Sequence, residues 1–86
     1  MNDTNYIPVL GINGKPLSKK EIKENLLYIY EALKEKGYNP VVQITGYIMS
    51  EDPTYITAHK NARAIASKMD RFDILNAMVA EYLNED

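Results

Sequence analysis

The chain has 86 residues, a formal net charge of −2 and no cysteine. That length allows one domain with a small core. The lack of thiols excludes a disulfide framework or a thiolate metal site as its staple, and the slight acidity removes the general attraction of a basic protein to nucleic acid. With 45% hydrophobic and 26% charged residues, the chain is too apolar for disorder and is expected to fold, with dimerisation as the remaining way to enlarge its core.

No apolar run is long enough to span a bilayer, and Met1 to Tyr6 carry neither a basic patch nor an apolar h-region, so the expected location is the cytoplasm. Residues 1–17 contain Pro8, Gly11, Gly14 and Pro16 without helical periodicity and read as an extended arm. Within it Asn13-Gly14 suits a type I′ hairpin turn, with Pro16 confining the second strand to an edge. Residues 18–86 read as a helical domain, giving a mainly α fold: a compact bundle of about four helices, expected to form a homodimer.

Ser18 and Glu21 form a capping box ahead of Ile22, Leu26, Ile29, Tyr30 and Leu33, which share one helical face. Gly37 ends this first helix, predicted from Lys19 to Lys36. Asn39-Pro40 then supplies an N-cap and a first helical residue. The second helix runs to Ser50, and Val41, Val42, Ile44, Tyr47, Ile48 and Met49 leave it so little polar surface that it should be central or shared with a second subunit. Asp52 caps a short turn through Thr54, Tyr55 and Ile56. Thr57 is expected to cap a third helix from Ala58 to Met69 with the stripe Ala62, Ile65, Ala66 and Met69. Asp70, with Asp73 three residues on, opens a fourth helix carrying Phe72, Leu75, Met78, Val79 and Tyr82.

Catalytic chemistry finds little support. His59 is the only histidine, so a triad would need a hydroxyl and a carboxylate such as Asp52 to converge on it, and a metal site would take every other ligand from carboxylates. No such spacing is present, and neither catalytic residues, metal nor cofactor is expected. Glu51-Asp52 has no EF-hand spacing after it. Gly11-Ile12-Asn13-Gly14-Lys15 lacks the ending of a phosphate-binding loop. Lys15, Lys19, Lys20 and Lys23 cluster where helix one begins and oppose its dipole, which makes them a solvated face or a docking surface for acidic groups. Seven tyrosines against one phenylalanine indicate half-buried rings at core edges or a protein interface.

The run Gly37-Tyr38-Asn39-Pro40, followed by Gln43-Ile44, Gly46-Tyr47, Ser50, Asp52-Pro53, Tyr55-Ile56 and His59-Lys60-Asn61-Ala62-Arg63, closely resembles the IreB family of small bacterial proteins. With Tyr30-Glu31-Ala32-Leu33 before it and Asp70-Arg71, Ile74-Leu75 and Tyr82-Leu83 after it, the resemblance covers roughly residues 18–83. It implies a cytosolic, homodimeric, non-enzymatic helical regulator, phosphorylated on a threonine near its N-terminus by a membrane-anchored PASTA-type Ser/Thr kinase in cell-envelope stress signalling. Thr4 is the only threonine before helix one and inherits the phosphoacceptor role by location, because the arm departs from the family's pattern. Glu51 stands where the family commonly has glycine, and Ala66-Ser67-Lys68 replaces a more basic stretch.

The leading reading is a dimeric adaptor binding itself and an unknown downstream protein. Tyr38, Tyr47, Tyr55, His59 and Arg63 are its candidate contact surface, and Lys19, Lys20 and Lys23 are candidate docking points for a phosphate on Thr4. The alternative is a nucleic-acid-associated factor using Lys60, Arg63, Lys68 and Arg71 on helix three and its junction to helix four.

Overall fold

The computed structural model describes residues 17–85; the arm and its Asn13-Gly14 hairpin lie outside that range, apart from Leu17. Four α-helices occur in order: α1 Lys19–Glu35, α2 Pro40–Ser50, α3 Ala62–Ser67 and α4 Arg71–Tyr82. Two single 3₁₀ turns, Pro53–Tyr55 and His59–Asn61, join α2 to α3. Among the described residues there is no strand.

Most helix ends follow from local chemistry. Ser18 Oγ accepts from the Glu21 amide at 3.1 Å while the Ser18 amide donates to Glu21 Oε1 at 2.9 Å, satisfying two orphan donors reciprocally. At the other end of α1, Gly37 takes φ +83°. The Tyr38 amide donates to the Leu33 carbonyl and the Gly37 amide to that of Lys34, the two bonds of a Schellman ending. Asn39 and Asp70 cap α2 and α4, each side chain accepting a backbone amide two or three residues on. At the end of α4, Asn84 takes φ +61° and the Glu85 amide donates to the Ala80 carbonyl.

Helix α1 is the element on which α2, α3 and α4 all pack. Its Ile22, Ile29, Ala32 and Leu33 meet Tyr47 and Ile48 of α2, Ile56, Ala62, Ile65 and Ala66, and Ile74 and Ala77 of α4 in one apolar cluster. Each fully buried isoleucine or leucine contributes about 1.5–3 kcal/mol by leaving water. One polar residue sits among them: Asn25 is fully buried, and its side-chain amide donates to the Met69 sulfur at 3.6 Å.

The structure corrects two helix assignments. Helix three begins at Ala62 rather than Ala58, because Lys60 and Asn61 take φ +56° and +62°, a left-handed kink that no α-helix accommodates. Thr57 Oγ1 therefore accepts from the His59 amide at 3.1 Å, ahead of a 3₁₀ turn. In α4 the buried face is Ile74, Ala77 and Ala80, while Phe72, Leu75, Val79 and Tyr82 are exposed. The small side chains of Ala77 and Ala80 let α4 lie close on α1 and turn its larger apolar residues outward.

Candidate protein-binding surface

The segment between α2 and α3 carries seven of the residues behind the family resemblance, and three side chains hold it to the helices. Gln43 donates to the Tyr55 carbonyl at 3.0 Å, Arg63 Nε to the Ile56 carbonyl at 2.9 Å, and the Tyr28 hydroxyl to the Lys60 carbonyl at 2.7 Å. The Ile56 carbonyl, on a buried residue, needs such a donor. Gly46 permits the closest approach: a Cβ there would stand 2.4 Å from the Tyr55 ring, so only glycine lets the loop lie against α2. Asp52 accepts from the Thr54 amide and hydroxyl, which hold its carboxyl below its ordinary range.

His59 Nε2 lies 2.8 Å from one oxygen of Glu35, and Lys60 Nζ lies 2.9 Å from the other. Lys60 and then His59 hold the Glu35 carboxyl below its ordinary pKa, and Glu35 in turn raises that of Lys60. The partner of His59 is thus Glu35 and not Asp52, and the arrangement ties the loop to the last turn of α1. Among the described residues no three His, Asp or Glu side chains converge as a metal site.

The four basic residues of the nucleic-acid reading do not share a helix. Lys60 precedes α3 and Arg71 opens α4. Lys60 is paired with Glu35, Arg63 with the Ile56 carbonyl, and Arg71 with the Glu51 carboxylate and the Ile48 carbonyl. Only exposed Lys68 is left outside these contacts.

The contact residues expected from sequence separate into three groups. Tyr47 is in the core, its hydroxyl donating to the Ala66 carbonyl at 3.3 Å; burial pushes its phenol pKa up. His59 and Arg63 are half-buried fasteners of the loop. Tyr38 and Tyr55 remain exposed. The larger apolar surface was missed at those positions. On α2 it comprises Val41, Val42 and Met49; on α4 it comprises Phe72 at 73% exposure, Leu75, Val79, Tyr82 at 88%, and then Leu83. At 100° per residue Phe72, Leu75, Val79 and Leu83 fall within an arc of about 80°, a continuous stripe. The sequence signal was the count of apolar residues on α2 and α4, which exceeds what one buried face can absorb.

Lys19, Lys20 and Lys23 line one side of a groove of about 800 Å³ between the start of α1 and the end of α4. Leu26, Ala77, Met78 and Tyr82 supply its apolar wall, Glu81 and Glu85 its acidic edge, and Lys23 Nζ bridges to Glu81 at 2.9 Å.

Residues 9–84 match the model of the family described as IreB regulatory phosphoprotein. The chain belongs to the IreB family. A UPF0297 protein of Clostridioides difficile (strain 630) is 48% identical over 75 residues, covering 87% of this chain and 88% of its own. One from Ruminiclostridium cellulolyticum is 46% identical over 80 residues, covering 86% and 91%, and one from Acetivibrio thermocellus is 52% identical over 65 residues, covering 76% and 72%. IreB membership supports a regulatory role. In this IreB chain the loop fasteners Gln43, Gly46, Tyr55, His59 and Arg63 lie inside the matched range, whereas Thr4 lies before it.

Proposed function

We propose that this chain is a non-enzymatic cytosolic signalling regulator that works as a homodimer through protein–protein binding, with Thr4 as the substrate of a PASTA-type Ser/Thr kinase in cell-envelope stress signalling. The observation that carries the binding role is the outward apolar stripe of α4. Phe72, Leu75, Val79 and Leu83 stand exposed on a helix whose main neighbour is α1, and a small monomer rarely leaves such a stripe to water. A second copy seated on it would bury the stripe against itself across a two-fold axis, the commonest symmetry of small oligomers. Tyr38 and Tyr55, exposed outside that stripe, are then available to the downstream protein.

A phosphate on Thr4 adds a charge of about −1.5 to −2. Among the described residues, Lys19, Lys20 and Lys23 are the basic side chains nearest in sequence to where the arm leaves the domain, and they receive it.

Two measurements test this reading. Phosphate incorporation by a PASTA-type kinase is expected in the wild type and lost in Thr4→Ala; equal incorporation removes Thr4. Light scattering at micromolar concentration is expected to give a dimer for the wild type and a monomer for Val79→Glu, and a monomeric wild type overturns the stripe as a self-association face.

A further inference from the structure

The groove of about 800 Å³ between the start of α1 and the end of α4 has a volume in the range that binding sites occupy. None of Phe72, Leu75, Val79 and Leu83 lines it, so it is a second surface beside the outward stripe of α4. Leu26, Ala77 and Met78 belong to its apolar wall, with Ala77 buried and Met78 exposed. A methionine there offers an unbranched, polarisable side chain that fits itself to apolar groups of varied shape.

The charges on its two sides are opposite. Lys19, Lys20 and Lys23 stand on the α1 side, Glu81 and Glu85 on the α4 side. Lys23 and Glu81 bridge at 2.9 Å and offset each other, whereas Lys19, Lys20 and Glu85 make no ion pair with any described residue. The backbone of Glu85 is nonetheless anchored, because its amide donates to the Ala80 carbonyl at 2.8 Å. Lysines in the first turn of α1 oppose that helix's dipole, so helix stability does not account for Lys19 and Lys20.

Backbone chemistry narrows the occupant further. Among the described residues there is no strand, so an extended peptide laid on this apolar wall would find no sheet edge to pair its amides and carbonyls. A helix satisfies its own backbone and presents side chains alone.

We infer that this groove docks an amphipathic helix of another protein, whose apolar stripe is bordered by acidic residues on the flank facing Lys19 and Lys20 and by basic residues on the flank facing Glu85. The inference rests on the reading of this chain as a protein-binding regulator and names the chemistry of one partner. It requires neither phosphate on Thr4 nor self-association through α4.

The test titrates isotope-labelled, unphosphorylated full-length chain with a synthetic helical peptide of about four turns, leucines along one face, glutamates on one flank and lysines on the other. Amide shifts at Leu26, Ala77 and Met78 are expected, with an affinity at least about tenfold above that of control peptides bearing only glutamates or only lysines on both flanks. Met78→Glu, at an exposed position, should abolish binding, and Val79→Glu on the outward stripe should leave it unchanged. The double variant Lys19→Glu, Lys20→Glu suits the first turn of a helix and should switch the preference to the lysine-only peptide. Equal affinity for all three peptides overturns the inference, as does tighter binding of the glutamate-only peptide to the wild type. Absence of any shift, the outcome if residues 1–16 or a second copy fill the groove, also overturns it. Binding abolished by Val79→Glu and retained in Met78→Glu places the peptide on the stripe and overturns it too. None of these outcomes bears on kinase phosphorylation of Thr4 or on the dimer, which the kinase assay and light scattering read separately.

Discussion

Glu51 holds the left-handed C-cap of α2 at φ +62°, a conformation that costs a residue with a Cβ about 1–2 kcal/mol and glycine almost nothing. Its carboxylate is paired with Arg71, but the carboxylate is largely exposed, and such a pair returns about 0–1 kcal/mol. Glycine is thus the better local solution at this position. Glu51→Gly is expected to raise stability by about 0.5–1 kcal/mol by urea denaturation; a loss would mean that the Arg71 pair outweighs the backbone strain. Lys60 and Asn61 are left-handed too. There Tyr28 and Glu35 hold Lys60 from both ends, by its carbonyl and by its ammonium, which explains how a kink of two such residues persists.

The loop from Glu51 to Asn61 depends on α2 for its seat. Gly46 in the middle of α2 sacrifices about 1 kcal/mol of helix propensity relative to alanine, and the return is contact with the Tyr55 ring, which a Cβ would meet at 2.4 Å. Gly46→Ala is therefore expected to destabilise the wild type. In a Tyr55→Ala background the same change should stabilise by about 1 kcal/mol, a reversal that a double-mutant cycle reads directly. If both backgrounds respond alike, Gly46 is not there for Tyr55. Helix α4 presents the opposite arrangement: Ala77 and Ala80 face inward with Ile74, while Phe72, Leu75, Val79 and Tyr82 face outward, so most of its larger apolar side chains stay uncovered within the chain.

Across the molecule, Glu35 joins the end of α1 to the 3₁₀ turn before α3 by accepting from both His59 and Lys60. Its carboxyl is held below the ordinary 4.5, chiefly by Lys60 and then by His59. A depressed carboxyl contributes stability that is fully present above its unfolded pKa. That stability is lost as the pH falls below 4.5 and through the folded value. Asp52, also depressed, acts in the same direction. Urea midpoints followed downward from pH 6 are expected to fall, and Glu35→Gln should flatten that acid limb; an unchanged limb would assign it to other carboxylates.

Caps and stops were legible because their chemistry is local: Ser18 with Glu21, Gly37, Asn39-Pro40, Asp52 and Asp70 each act on amides or carbonyls within a few residues. The α1 stripe was legible for the same reason, since one apolar face on a long helix has one place to go. The start of α3 was not, because nothing in His59-Lys60-Asn61 announces a left-handed pair that Tyr28, 32 residues before Lys60, helps to hold. Nor was the fate of Tyr47 or Asn25, which depends on which carbonyl or sulfur lies opposite in the packed domain. Caps and apolar periodicity established a small helical protein whose α2 carries more apolar surface than one buried face absorbs. Which side of α4 faces inward was settled by packing, because periodicity counts apolar positions while only the close approach to α1 selects alanine over leucine, valine and phenylalanine.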